Sequence, residues 1–244
     1  MRNFYAVIIG SEILNNRRQD RHFDFVKSKL LEVNETLFST FIIKDDANLI
    51  KKCFELIKSD KDSIMFCFGG IGSTPDDLTR KIAADVFRDS KMEFHESFKQ
   101  DIINRFGSEA YPHRVNMAYL PVSSQLLHNP INNMSGFSID NRFFFTPGFP
   151  QMAHPMIKSV IDKEFKNSLK KVRRTLLANT SENTLIEIMQ RIPKDIELSS
   201  LPIFKDSKAQ VELSLAGSDM DVVDRYFQEF IDELRLKKVD FVLM

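Results

Sequence analysis

The 244-residue sequence has no tryptophan, two cysteines and eight glycines, and its charges cancel, with 34 Lys and Arg against 34 Asp and Glu. Each shortage excludes something. Cys53 and Cys67 form no CxxC pair and fall in segments patterned as buried helix and strand, so a disulfide framework is not expected and a reduced, cytoplasmic setting is. A net charge of zero gives no ground for non-specific binding to nucleic acid or to an anionic membrane. No apolar run reaches the length of a membrane span: the first, in MRNFYAVIIGSEIL, has strand length and is not followed by a cleavage signal. The five histidines, His22, His95, His113, His128 and His154, show no zinc-ligand spacing, so no structural zinc is expected.

What is present is alternation. Phe4 to Ile9, Leu37 to Ile43 and Ile64 to Phe68 are apolar runs of strand length. Asp20 to Val33 and Asp46 to Ile57 repeat apolar residues every three or four positions, the period of a helix with one buried face. Strands that are apolar throughout, alternating with helices, predict a three-layer αβα domain with a mostly parallel sheet. A helix is expected over Pro75 to Phe87, another around His95 to Phe106, then short strands at Gln125–His128, Gly136–Ile139 and Arg142–Thr146, and a helix ending near Phe165. From Lys170 onward the pattern changes to βαββαβ, with helices at Glu182–Ile192 and Met220–Leu236 and a hairpin turning at Lys205-Asp206-Ser207. The division is placed at residues 1–166 and 167–244, with Lys170, Lys171, Arg173 and Arg174 as a solvated linker. The 22 phenylalanines fall at apolar spacings that indicate core packing.

The stretch FCFGGIGSTPDDLTR is the most informative. Gly69, Gly70 and Gly72 stand where a strand gives way to a helix, so the chain can take positive φ there and approach a ligand without a Cβ. Helix amide groups aimed into such a turn make an anion site. The same residues also describe a helix start, with Thr74 as N-cap, Pro75 at the first helical position, and Asp76 and Asp77 favourably placed on the dipole. Neither a P-loop nor a dinucleotide fingerprint is met. Two carboxylates beside a phosphate would repel it unless a divalent cation stood between them, so phosphate together with metal is the expected ligand. Glu12, Asp45 and Asp46 follow the first two strands on the side where such sheets bind ligands. Glu12 and Asp45 are expected in the site, and Asp46 as a helix cap. Arg17, Arg18, Arg21 and His22 form a basic cluster that fits a solvated helix start slightly better than a ligand contact.

GGIGSTPDDLTR resembles the GG-x-G-x-T-x-DD-x-T signature of the molybdopterin-binding-like domain, shared by molybdenum-cofactor proteins of the MogA and MoeA type and by CinA-type nucleotide hydrolases. Gly10-Ser11-Glu12-Ile13-Leu14, Lys44-Asp45-Asp46, and Asn129-Pro130 with Gly136-Phe137 and Pro147-Gly148-Phe149-Pro150 are similar to further segments of that family, in the same order. The double aspartate and the PGFP turn favour the CinA-type branch. The resemblance implies a pyrophosphatase of ADP-ribose, FAD or a similar dinucleotide, dependent on magnesium, manganese or cobalt, with potassium as an activator. It also implies a homo-oligomer, dimer or trimer, acting on a nucleotide or pterin and on neither nucleic acid nor membrane. The amidase domain of many relatives has no counterpart in this sequence, so deamidation is not expected. The implied site has Asp45 and Asp77 as catalytic groups and Asp45, Asp76 and Asp77 as metal ligands. Gly10, Glu12, Gly69, Gly70, Gly72, Ser73, Thr74, Asn129, Pro147 and Gly148 would bind phosphate or nucleotide. The sequence departs from the family pattern at Ser73, where a proline is usual, at Gln19-Asp20-Arg21-His22 and at Met152-Ala153. The alternatives are adenylyl transfer to molybdopterin in cofactor synthesis, and a non-catalytic pterin- or nucleotide-binding module.

Overall fold

The computed structural model describes residues 2–166, 171–205 and 208–244 and divides into two compact units, Met1–Ser168 and Leu169–Met244. The expected linker start at Lys170, the chain around the expected boundary and the hairpin tip at Asp206-Ser207 lie outside the described residues.

The first unit begins with β1 (Asn3–Ile9), α1 (Ser11–Leu14), α2 (His22–Glu32), β2 (Leu37–Ile43), α3 (Ala47–Ser59) and β3 (Ser63–Phe68). It continues with α4 (Thr79–Arg88), β4 (Met92–Phe94), α5 (Glu96–Phe106), two 3-10 turns at Gly107–Ala110 and Arg114–Ala118, and β5 (Tyr119–Pro121). It ends with β6 (Gln125–Leu127), β7 (Gly136–Ile139), β8 (Phe143–Thr146) and α6 (Pro150–Glu164). Six strands form one sheet in the order β2-β1-β3-β8-β7-β6. β2, β1, β3 and β8 pair parallel, and β7 alone runs opposite, pairing antiparallel with both β8 and β6, which makes the sheet mostly parallel.

Burial explains why the inner strands are apolar at every position. On one face Val26 and Leu30 of α2 and Ile157 and Ile161 of α6 cover Phe4, Ile8, Phe66 and Phe68. On the other, Ile50 and Phe54 of α3, Ala83 of α4 and Phe98 and Ile102 of α5 cover Val7, Met65 and Phe145. The result is the three-layer arrangement expected for a doubly covered sheet. Phenylalanine fills the layers: Phe145 stacks on Phe137 at 4.5 Å and meets Phe54 edge-on at 5.7 Å. Cys53 and Cys67 are buried and unpaired, and burial pushes the Cys53 thiol up to about 12. The pair β4–β5 forms a separate two-stranded sheet that the sequence pattern did not suggest.

The second unit comprises β9 (Val172–Ala178), a 3-10 turn at Glu182–Thr184, α7 (Ile186–Met189), β10 (Glu197–Lys205), β11 (Lys208–Gly217), α8 (Met220–Leu236) and β12 (Phe241–Leu243). Its antiparallel sheet has the order β10-β11-β9-β12. Leu176, Leu213 and Leu215 pack there against Val223, Phe227 and Phe230 of α8. Two expectations are corrected. The helix over Glu182–Ile192 shrinks to four residues after the 3-10 turn, where Thr180 and Thr184 bond through their hydroxyls at 2.6 Å, a local alternative to helix bonding. Arg173 and Arg174 belong to β9 and pair with Glu197 and Asp224 at 2.7 Å each, so they are part of the unit and not linker. Among the described residues no helix is long and apolar enough to cross a membrane.

Phe145 is fully buried, so truncation leaves a cavity that its ring neighbours cannot refill. Phe145→Ala is expected to cost the first unit about 3–5 kcal/mol, measured by denaturant unfolding.

Candidate functional site

The strand that opens the chain lies between β2 and β3. Chain order therefore reverses beside β1, and a parallel sheet offers its ligand crevice at the carboxyl ends of strands where that happens. A cleft of about 580 Å³ lies there, bordered by Glu12, Asp45, the segment from Gly69 to Thr74, Asp76, Asp77 and the Pro147-Gly148-Phe149 turn.

The glycine turn is held by its own backbone. Gly69 has φ +103°, and a Cβ there would stand 2.5 Å from the Ile9 carbonyl oxygen. Gly70 has φ +69°, and its Cβ would meet the Thr79 hydroxyl at 2.3 Å. That hydroxyl donates to the Gly69 carbonyl at 2.9 Å, and the Thr79 amide donates to the Gly70 carbonyl at 3.0 Å. Gly72 differs: it is not among the positive-φ residues, and what excludes a side chain is the Asp77 carboxylate, 2.5 Å from where its Cβ would lie.

The helix expected from Pro75 starts instead at Thr79. Thr74 gives its amide and its hydroxyl to Asp77 Oδ2 at 2.8 and 2.6 Å, and the Asp77 amide returns to the Thr74 carbonyl at 3.0 Å. These bonds close a turn of their own ahead of α4, the competition with helix bonding that Thr and Asp offer. Asp76 and Asp77 therefore sit in a loop and not on a helix dipole, and the first amide of α4 is engaged by the turn itself.

The other expected residues separate. Asp45 Oδ2 accepts from the Ser11 amide and hydroxyl at 2.8 and 2.9 Å, which ties the loop after β2 to the start of α1. Glu12 faces Arg18 at 4.0 Å, so Arg18 of the basic cluster does border the cleft. Asp46 is the N-cap of α3, accepting from the Leu49 amide at 2.8 Å. Gly10 is buried behind Glu12, with its amide on the Ile43 carbonyl at 3.0 Å. Asn129 is fully buried; its amide holds Asn132 and the Met134 carbonyl at 2.8 and 3.0 Å. It shapes the loop beside the cleft and does not itself border the cleft.

The three carboxylates expected to hold a metal are not gathered in one place. Asp45, Asp76 and Asp77 all border the cleft, but among the described residues no three His, Cys, Asp or Glu side chains gather as a ligand set. One oxygen of Asp45 and one of Asp77 are already hydrogen-bonded. The remaining oxygens would suit a cation that takes one carboxylate contact and its other ligands from elsewhere, the mode usual for magnesium. They do not fit a cage built by protein alone.

Two features had no sequence signal. Arg80, in the first turn of α4, is 9% exposed, and its guanidinium donates to the carbonyls of Gly72 at 2.6 Å, Tyr119 at 3.2 Å and Asn116. His22 and His154 lie far apart in sequence but pack edge-on at 5.3 Å, with His22 stacked on Phe68 at 4.3 Å and His154 on Phe25 at 3.8 Å. His22 Nε2 lies 3.3 Å from the Gly148 carbonyl, so the pair supports the turn that closes the cleft.

The structure is thus a doubly covered α/β sheet with a crevice at the chain reversal, bordered by a glycine turn, flanking carboxylates and a proline-glycine turn. The comparisons place it further. Residues 5–167 match the family model "Probable molybdopterin binding domain", and the chain belongs to that family. A CinA-like protein of Syntrophomonas wolfei is 24% identical over 234 residues, covering 91% of this chain and 56% of that protein. A protein of Sulfolobus acidocaldarius is 25% identical over 251 residues, covering 96% of this chain and 95% of its own. The crystal structure of the protein CinA of unknown function from Thermoplasma acidophilum superimposes with a TM-score of 0.61 at 23% identity, over 67% of this chain and 98% of that one, and shows the shared fold. The chain spans about half the length of the first curated CinA-like and competence-damage inducible relatives it matches.

Burial holds both imidazoles neutral: it pushes His154 down to about 4, with the neighbouring His22 adding to the shift, and it lowers His22 against the opposing bond to Gly148. A folded-state pKa below the free value of about 6.5 means that the unfolded chain binds the proton first. The associated stability is present above pH ~6.5 and is lost as pH falls toward the folded value. The unfolding midpoint should therefore decline between about pH 6.5 and 4, and His154→Phe, which keeps the stack on Phe25, should make the decline shallower.

Proposed function

We propose that the chain is a hydrolase of a nucleotide diphosphate linkage, with ADP-ribose or FAD as the substrate type. The observation that carries this is the cleft itself: phosphate-type turn, two carboxylates of one loop and an exposed aromatic ring, Phe149, border one space of about 580 Å³, a size suited to a dinucleotide. Kinship with CinA-like proteins supports the same direction.

The turn from Gly69 to Thr74 would hold one phosphate by backbone amides, and Phe149 would take the base on its free face. Arg18 stands 5.9 Å from the other side of that ring and would confine it. A divalent cation bound with the substrate would neutralise the diphosphate and lower the barrier to attack at phosphorus. Asp77, through the oxygen that Thr74 does not use, would take the proton of the attacking water. The water oxygen bonds to one phosphorus, the bridging P–O bond breaks, and the bridging oxygen leaves on the second phosphate, so that ADP-ribose and water give AMP and ribose 5-phosphate.

The family description favours a second reading, a pterin held in the same cleft for cofactor synthesis. A release assay decides between them. AMP should appear from ADP-ribose with magnesium or manganese and stop on chelation, and Asp77→Asn should lower turnover by about a hundredfold or more. If Asp77 only closes the turn, turnover survives and stability alone falls, by up to about 1 kcal/mol. Tight binding of molybdopterin without hydrolysis of any dinucleotide would replace the first reading with the second.

A further inference from the structure

Arg80 is a cation buried without a counter-ion. No carboxylate among the described residues comes within ion-pair distance, its three hydrogen-bond partners are main-chain carbonyls, and its Nε has no partner. Asp77 is close enough for its charge to oppose the fall in the Arg80 pKa that burial causes, yet its carboxylate is tied to Thr74. Taking a guanidinium out of water without compensation is costly, and neutral carbonyls compensate only in part.

The placement of Arg80 suggests what completes the compensation. It does not border the cleft; it stands behind Gly72, whose carbonyl it holds at 2.6 Å. A trans peptide is planar, with its C=O and the following N–H pointing in opposite directions. Drawing the Gly72 carbonyl inward onto Arg80 therefore turns the Ser73 amide outward, and Ser73 borders the cleft. That amide takes part in none of the hydrogen bonds of the turn.

Resting on the assignment of this cleft to a nucleotide, we infer that Arg80 is a positioning residue for the anion. It fixes the Ser73 N–H as a phosphate donor and sets a permanent positive charge behind it. The turn then binds the phosphate of its ligand without a divalent cation, and the cation is required for turnover rather than for binding. A preorganised amide with a fixed charge behind it is the usual way to hold an oxyanion at low reorganisation cost.

The test is calorimetric titration of ADP-ribose and inorganic pyrophosphate into the full chain, in EDTA and again with magnesium. Binding in EDTA is expected for the native chain, and Asp77→Asn, which removes the like charge beside the turn, should strengthen it several-fold. Ser73→Pro deletes the amide donor and should weaken it by about tenfold or more, whereas Ser73→Ala, which keeps the amide, should leave it unchanged. Arg80→Met should match Ser73→Pro, and Arg80→Lys should fall between; if Arg80→Met does not fold, the Ser73 pair carries the test. Binding by the native chain only when magnesium is present overturns the inference and leaves the hydrolase assignment standing. Equal affinities for Ser73→Pro and Ser73→Ala also overturn it. No binding of ADP-ribose under either condition removes the nucleotide assignment and the inference together.

Discussion

Everything at the cleft depends on three stretches of main chain meeting with no side chain between them. Gly69 lies against the Ile9 carbonyl at the end of β1, and a Cβ on Gly148 would stand only 3.4 Å from the Gly69 Cα. The Gly69 amide also bonds the Thr146 carbonyl at the end of β8 at 3.0 Å. The carboxyl ends of β1, β3 and β8 thus meet backbone to backbone, and at Gly69 only glycine permits the close approach at positive φ. The turns beyond them can then diverge into a crevice whose walls are set by the sheet and not by flexible loops.

That constraint divides the polar residues into those that face the ligand space and those that hold the walls. Ser11 with Asp45, Thr74 with Asp77, and Asn129 with Asn132 each close one wall loop by side-chain bonds. His22 braces the Gly148 carbonyl from behind. Each bracket ties its loop by side-chain bonds that need no ligand, so it contributes to order even before any ligand arrives. The amide of Ser73, the exposed Asp76, the second oxygen of Asp77 and the ring of Phe149 are among the groups that border the cleft.

The sheet was legible because its cause is repetitive: β2 is found over Leu37–Ile43 and α8 over Met220–Leu236, the spans that apolar period and turn residues indicate. The start of α4 was misjudged because Thr-Pro-Asp-Asp satisfies the statistics of a helix N-terminus while its side chains bond one another first. Gly10, Glu12 and the glycine turn lie near the crevice because residues that follow parallel strands must fall there. Asn129 resembles a ligand contact in sequence and is a loop brace in three dimensions. Arg80 and the His22–His154 pair had no signal, since their partners are main-chain carbonyls or rings distant in the chain, and neither spacing nor composition records such contacts.

The juxtaposition of an anion-type turn with two aspartates, which on charge alone is self-defeating, changes meaning once each group is located. One Asp77 oxygen closes a turn, and the positive charge of Arg80 lies behind that turn at a place water does not screen well, where a charge acts more strongly than at the surface. The net field at the Ser73 amide is therefore less negative than the residue list implies. On the proposed function, a phosphate would be received there while Asp76, on the solvent side, would offer a carboxylate to a cation brought by the ligand. The proposed arrangement would separate two tasks by depth, with anion recognition backed by the buried arginine and cation contact left to the exposed loop.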